Sequence, residues 1–166
     1  DKILNNFGQE SPIFILGGGS NIVLPENMHN TVFIKIQNKD IAILEQNTEN
    51  VLLKIAAGEL WDDVVLYACK NGYACIEAMS AIPGIAGATP IQNVGAYGQE
   101  IKDVLVSLEA YDRINKINVT ITNEECDFSY RMSRFKKDWK NRFVITSIII
   151  KKKKKEPNIP LYKGVK

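Results

Sequence analysis

Short apolar runs that end at polar turns are the main pattern of the chain, and they predict β-strands. Two hairpins are expected, one that turns at residues 47–50 and one that turns at residues 113–115. The segment "CDFSYRMSRFKKDWKNR" is mostly polar and is expected to be irregular. The predicted strands are residues 13–16, 22–24, 31–36, 41–46, 50–58, 104–112, 116–125 and 143–155.

The clearest helical periodicity lies in "ELWDDVVLYACKNG", residues 59–72. Apolar residues recur there at the spacing of one helix face, and Asn71-Gly72 is a typical helix end. The apolar set is Leu60, Val64, Val65, Ala68 and Cys69. Strands, then one helix, then more strands favour an α+β fold over a doubly wound α/β sheet.

Composition excludes several classes of protein. The 166 residues carry 21 basic and 19 acidic side chains, so the net charge of +2 gives no reason to expect a nucleic-acid partner. No apolar run approaches the ~18 residues of a membrane-spanning helix, so no membrane partner is expected. The three cysteines lack metal-ligand spacing, which predicts free thiols in a reducing compartment and no metal site. The lysine run at 151–155 is expected to solvate a strand edge rather than to bind anionic lipid or nucleic acid.

The first candidate for chemistry is "LGGGSN", a strand end followed by three glycines, a serine and an asparagine. Consecutive backbone N–H groups in such a turn form a concavity that suits a phosphate. No Gly-Lys-Ser/Thr follows, so it is not a P-loop, and "VLPEN" stands where the Rossmann motif requires a helix. A plain tight turn is the alternative. The residues concerned are Gly17, Gly18, Gly19, Ser20 and Asn21.

The second candidate is "AIPGIAGATPIQNVGAYGQE", residues 81–100, which holds four glycines and a single charge. Glycine is favoured where backbone approaches a ligand closely, and amide side chains both donate and accept hydrogen bonds without charge. Its isoleucines and valine favour burial over disorder. The segment is therefore expected to form a wall for a flat heteroaromatic ligand.

Three motifs in this order, "LGGGSN", "IPGIAGATPIQNVGAYGQEI" and "CDFSYRMSRFK", resemble the UDP-N-acetylenolpyruvoylglucosamine reductase family, also called UDP-N-acetylmuramate dehydrogenase. The resemblance runs from about Ile13 to Tyr162. It implies an α+β, two-lobed FAD-binding fold of the vanillyl-alcohol-oxidase (PCMH) type. The implied divisions are a first lobe at 1–46, a second at 47–156, and the start of a linker at 157–166.

The family's activity is the NADPH-dependent reduction of UDP-N-acetylglucosamine enolpyruvate to UDP-N-acetylmuramate, in cytoplasmic peptidoglycan precursor synthesis. The resemblance implies noncovalent FAD and NADPH as co-substrate. It implies a catalytic Arg131 at the substrate carboxylate, where a guanidinium stabilises developing negative charge. Tyr130 and Ser133 would help bind the substrate. The implied FAD-binding residues are Gly17, Gly18, Gly19, Ser20, Asn21, Pro83, Gly84, Gly87, Ala88, Thr89, Gln92, Asn93, Gly95, Ala96, Tyr97 and Gly98.

The sequence departs from the family's pattern in three places. Met132 stands where the motif commonly has aspartate. The chain is also expected to lack the family's N-terminal opening strand and its third domain, which carries a serine proton donor and a glutamate. The chain alone is therefore expected to bind FAD without turning over substrate. Two alternatives are a noncatalytic FAD- or nucleotide-binding remnant and another oxidoreductase of the same flavin fold.

Overall fold

The structure is a computed structural model that describes residues 12–154. Within these residues, one six-stranded sheet, two two-stranded sheets and one α-helix form the fold, which agrees with the expected mixture of strands and helix. The elements are β1 (Ile13–Leu16), β2 (Val32–Lys35), β3 (Ile41–Gln46), β4 (Asn50–Ala56), α1 (Trp61–Lys70), β5 (Tyr73–Ala74), β6 (Gly95–Ala96), β7 (Gln99–Glu100), β8 (Leu105–Asp112), β9 (Ile117–Thr122) and β10 (Phe143–Lys154).

The larger sheet is antiparallel, in the order β3-β4-β10-β8-β9, and β5 pairs with the end of β10. Both predicted hairpins, β3–β4 and β8–β9, are confirmed. Strands β1 and β2 form a separate parallel pair. Residues 22–24 were predicted as a strand, and that prediction is wrong. A parallel pair needs a crossover, and residues 17–31 supply it as an irregular connection in which Val23 is 97% exposed.

Helix α1 confirms the helical pattern and packs against the larger sheet. Its buried face consists of Trp61, Val64, Val65 and Ala68, while the predicted first apolar residue, Leu60, is 51% exposed. The helix ends before Gly72, whose positive φ of 67° favours glycine. The sheet contributes alternate buried residues to the same core, among them Leu53, Ile55, Leu108, Ile148 and Ile150.

The lysine run does not lie on a sheet edge, so that prediction is wrong. Strand β10 is bordered by β4 on one side and by β8 and β5 on the other. Lys151 and Lys153 are exposed, but Lys152 alternates inward and is 1% exposed, and its Nζ has no hydrogen-bond partner. Burial lowers the pKa of Lys152 to about 8, although the nearby Cys75, Glu77 and Cys69 act in the opposite direction.

Strand pairing bears on the predicted lobe boundary after residue 46. That boundary falls inside the β3–β4 hairpin, because Ile41–Gln46 is hydrogen-bonded to the strand that follows it. Residues 41–46 thus belong to the larger sheet, and the division into two lobes stays a prediction. Within residues 12–154, no helix is long and apolar enough to cross a membrane. The same residues contain no cluster of His, Cys, Asp and Glu suited to a metal ion.

Candidate functional site

A cavity of about 740 Å³ lies where β1 and the loop after it meet the glycine-rich segment. This volume falls within the ordinary range for small-molecule and cofactor sites. The two motifs singled out in the sequence supply adjoining parts of its lining. The predicted residues that line it are Gly17, Gly18, Gly19, Ser20, Asn21, Pro83, Gly84, Gly87, Ala88, Thr89 and Gln92.

Close backbone approach explains why glycine occurs at two of these positions. A Cβ at Gly18 would lie 2.9 Å from the Cα of Gly84, and a Cβ at Gly87 would lie 2.5 Å from the Cβ of Ala57. Gly84 itself has a φ of 123°, which L side chains rarely adopt. The loop after β1 and the glycine-rich segment are therefore in backbone contact at Gly18 and Gly84, with no room for a side chain on Gly18.

Two hydrogen bonds join these walls. The Ser20 hydroxyl donates to the Pro83 carbonyl at 3.3 Å, and the Asn21 amide donates to Gln92 Oε1 at 3.0 Å. Asn21 and Gln92 were predicted as separate cofactor contacts, and the structure pairs their side chains with each other at the cavity wall.

Sequence analysis missed a basic third wall. Arg113, Lys136 and Lys140 line the cavity, and none of the described lining residues is acidic. Arg113 follows β8, where its guanidinium donates to the Asn141 carbonyl at 2.8 Å. No local pattern marks these residues, because they come from a hairpin turn and a polar loop that only the folded sheet brings together. Their charge makes the cavity attractive to an anion.

Five predicted residues near the end of the glycine-rich segment do not line this cavity. Asn93, Gly95, Ala96, Tyr97 and Gly98 are absent from its walls. Asn93 is fully buried, and Gly95–Ala96 forms a small hairpin with Gln99–Glu100. Tyr97 and Gly98 form its turn, with φ values of 49° and 84°. The prediction that these five residues contact FAD stays a prediction. The side chain of Asn93 has protein partners in the structure, which are described below.

Residues 129–132 form a tight turn that presents Arg131, and we call it the arginine turn. Ser129 and Met132 exchange two backbone hydrogen bonds, at 3.0 and 3.1 Å, so that Tyr130 and Arg131 are its central residues. Arg131 has a φ of 52°, which is uncommon for a long side chain and is found at functional sites. Its Nη2 donates to the Gly95 carbonyl at 2.5 Å, and its guanidinium carbon lies 5.8 Å from the centre of the Tyr130 ring.

The other two predicted substrate residues differ in exposure. Tyr130 is 82% exposed beside the guanidinium, where a ligand can reach it. Ser133 is fully buried, and its hydroxyl donates to the Ile91 carbonyl at 2.6 Å. The geometry therefore gives Ser133 a role in fixing the arginine turn to the glycine-rich segment.

Glu100 supplies the negative charge near Arg131. Its carboxylate lies 2.6 Å from the Lys102 ammonium. The hydrogen bond from Lys102 lowers the pKa of Glu100 most, and Asn93 and the charge of Arg131 lower it further. Glu100 is therefore ionised at neutral pH.

These features together define a class of protein. The cavity offers an N–H-rich turn and three cations to a phosphate group, and it offers small apolar residues to a flat ring. None of its described lining residues is a His or Cys, the residue types that attach flavins covalently. The residues present therefore fit a noncovalently bound dinucleotide such as FAD.

Comparisons with known proteins agree with this class. A family model described as an FAD binding domain matches residues 3–117, and the chain belongs to this family. A UDP-N-acetylenolpyruvoylglucosamine reductase from Flavobacterium johnsoniae is 44% identical over 146 residues, which are 88% of this chain and 43% of the relative. The reductase of the same name from Neisseria meningitidis serogroup A is 42% identical over 146 residues, which are 88% of this chain and 42% of the relative.

Solved structures confirm the fold class. UDP-N-acetylenolpyruvylglucosamine reductase from Thermus caldophilus matches with a TM-score of 0.72 and 25% identity, covering 93% of this chain and 53% of that one. An alkyldihydroxyacetonephosphate synthase matches with a TM-score of 0.55 and 16% identity, covering 90% of this chain and 28% of that one. The predicted FAD-binding fold of the vanillyl-alcohol-oxidase (PCMH) type and the resemblance to the reductases are confirmed. The chain spans less than half the length of these two curated relatives.

Proposed function

We propose that this chain is the FAD-binding part of a UDP-N-acetylenolpyruvoylglucosamine reductase. The whole enzyme would reduce UDP-N-acetylglucosamine enolpyruvate to UDP-N-acetylmuramate with NADPH, in the cytoplasm, for peptidoglycan synthesis. The observation that carries the proposal is the glycine-rich segment, because Gly84 and Gly87 line the cavity while Asn93 and Gly95 are hydrogen-bonded to the arginine turn. One segment would thus join the cofactor site to the arginine proposed to bind substrate.

The cavity residues would hold FAD by complementary charge and shape. Backbone N–H groups of Gly18 and Gly19 would face the pyrophosphate, and Lys136 and Lys140 would add charge from the opposite wall. The glycine-rich segment, at Gly84 and Gly87, would lie against the flavin ring. When bound, FAD would supply the chemistry of accepting hydride from NADPH and passing it to the substrate.

Arg131 would bind the carboxylate of the enolpyruvyl group. A guanidinium has five N–H donors in a planar fork, and the bond to Gly95 uses one of them. Negative charge grows toward the carboxylate as the neighbouring carbon–carbon double bond is reduced. A fixed cation at that position stabilises the transition state more than the ground state. The exposed Tyr130 would pack against the same substrate.

The test is turnover by the protein encoded by the complete gene, with product followed by mass spectrometry. We expect UDP-N-acetylmuramate to form only when NADPH, FAD and the enolpyruvyl substrate are all present. Arg131→Ala should lower kcat/KM on the order of a hundredfold or more, because the carboxylate loses its main positive partner. FAD affinity should be unchanged, since Arg131 does not line the cavity.

Arg134→Ala is the matched control, because Arg134 lies in the same loop but pairs with Asp138. Arg131→Lys gives a graded variant that keeps the charge and loses the planar fork. We expect Arg134→Ala to retain turnover and Arg131→Lys to fall between wild type and Arg131→Ala. Full turnover by Arg131→Ala, or product formation without flavin, would contradict the proposal.

A further inference from the structure

Four hydrogen bonds fix the arginine turn, and three of them come from alternate residues of the glycine-rich segment. Ile91 accepts from the Ser133 hydroxyl at 2.6 Å, and Gly95 accepts from the Arg131 guanidinium at 2.5 Å. Between them, the Asn93 amide donates to the Ser129 carbonyl at 3.1 Å. The fourth joins Lys136 Nζ to the Arg131 carbonyl at 3.2 Å.

Asn93 uses both ends of its side chain. While Nδ2 binds Ser129, Oδ1 accepts the backbone N–H of Lys102 at 3.2 Å. Its backbone is left-handed, with a φ of 46°, which asparagine tolerates better than most residues. The side chain is fully buried, so water cannot replace either partner.

The bonded carbonyl lies at a sensitive position of the turn. Ser129 O also accepts the Met132 N–H at 3.1 Å, the hydrogen bond that closes the turn around Tyr130 and Arg131. Arg131 occupies the third turn position with positive φ, where glycine or asparagine is usual. The turn is therefore held in a conformation that its own sequence disfavours.

We propose that Asn93 is a positioning residue that holds the arginine turn closed and orients Arg131, and that it is not an FAD ligand. The role of Asn93 in orienting Arg131 rests on the proposed function, because it matters only if Arg131 binds substrate. Its role in holding the turn closed does not depend on the proposed function. Asn93 links three segments, at residues 93, 102 and 129, and so couples the wall of the cofactor cavity to the substrate side.

The decisive variant is Asn93→Asp, which keeps size, the acceptor toward Lys102 and tolerance of left-handed backbone. It loses the amide donor to Ser129 and to the nearby Glu100, and it adds a negative charge beside that carboxylate. Asn123→Asp is the matched control, since the Asn123 amide donates to the backbone carbonyls of Lys102 and Leu105, both at 2.7 Å, away from the turn. The first measurement is hydrogen exchange at the Met132 N–H, in the FAD-loaded chain. We expect Asn93→Asp to accelerate it on the order of tenfold relative to Asn123→Asp, because one of the bonds that hold the turn is lost.

The second measurement is a double-mutant cycle in the protein encoded by the complete gene. Asn93→Asp should lower kcat/KM on the order of tenfold to a hundredfold, as expected for a misplaced catalytic group. It should have little further effect when Arg131→Ala is already present, because both changes remove the same interaction. The dissociation constant of FAD should stay within roughly threefold of wild type, since Asn93 does not line the cavity.

Unchanged exchange at Met132, or loss of FAD affinity in step with turnover, would overturn the assignment of Asn93. Additive effects of the two substitutions would overturn its link to Arg131. Accelerated exchange in a protein whose Arg131→Ala variant keeps full turnover would instead support the closed turn and refute the proposed role of Arg131. The two failures are therefore distinguishable.

Discussion

The contact between Gly18 and Gly84 gives the sharpest prediction for cofactor binding. In Gly18→Ala the added methyl group would lie 2.9 Å from the Cα of Gly84. Non-bonded carbon atoms are most stable at about 3.5–4.0 Å, so the two backbones must separate by roughly half an ångström or more. Both residues line the cavity, and the movement would pull N–H groups away from the pyrophosphate position.

The expected loss of FAD affinity follows from the hydrogen bonds that this movement would break. A hydrogen bond to a charged group contributes about 1.5–3 kcal/mol, so losing one would weaken FAD binding roughly tenfold to a hundredfold. Gly72→Ala is the control, because Gly72 also takes on a methyl group but has no atom within 4 Å of it and lies after α1. Its positive φ should cost about 1 kcal/mol in the free energy of unfolding, without a change in FAD affinity.

The assay is titration of the apo chain with FAD, followed by quenching of flavin fluorescence, with unfolding of each variant monitored by circular dichroism. We expect Gly18→Ala to lose more FAD affinity than its loss of stability explains. We expect Gly72→Ala to lose stability while its FAD affinity stays unchanged. If Gly18→Ala binds FAD within roughly threefold of wild type, the loop after β1 is not the pyrophosphate site.

Three further predictions concern other charged residues. Lys152→Met should raise the free energy of unfolding at pH 7 by up to about 3 kcal/mol, because the amine has a pKa of about 8 in place of its ordinary 10.5; chemical denaturation should show this gain shrinking as pH rises from 8 to 10.5, where the unfolded chain binds more protons than the folded one. Lys136→Gln should weaken FAD binding by roughly tenfold at low salt, measured by titration, and less at high salt, because a cation of the cavity is lost; an effect independent of salt would contradict this. Asp112→Asn should cost ~2 kcal/mol at pH 7 in denaturant titrations, since Asp112 is 1% exposed and pairs with Arg142 at 2.7 Å. That pairing holds the pKa of Asp112 well below its ordinary 3.8, so the difference from wild type should begin to shrink below pH 3.8 and decrease further toward the folded-state pKa; a constant difference would refute the pairing.

Local periodicity was enough to predict most of the fold. The apolar runs of β3, β4, β8 and β9 and the buried face of α1 are confirmed, because each depends on neighbours close in sequence. The lysine run was predicted to lie at a strand edge, and that prediction is wrong. Strand β10 is central, and the inward residue Lys152 is buried because strand alternation overrides the preference of a charged side chain for water.

In the candidate site, too, features that depend on local sequence were predicted, and features that depend on the folded sheet were not. The glycines at 17–19, 84 and 87 were identified from sequence; close approach explains Gly18 and Gly87, and positive φ explains Gly19 and Gly84. The cavity lysines and Arg113 were missed, since only pairing of β8 with β10 brings their loops to the cavity. Asn93 was identified as an FAD contact, which stays a prediction, while its partners in the structure are Ser129 and Lys102. A buried amide and a ligand-binding amide have the same sequence signature, and only the hydrogen bonds to Ser129 and Lys102 separate them.

Flavin binding by the chain itself tests the central claim most directly. The chain, freed of ligand and incubated with excess FAD, is separated from unbound cofactor by gel filtration, and its visible absorption spectrum is recorded before and after acid treatment. We predict a yellow protein with close to one FAD per chain, all of it released by acid. A colourless chain that retains its secondary structure by circular dichroism and takes up no FAD would contradict the account, and so would flavin that acid fails to release.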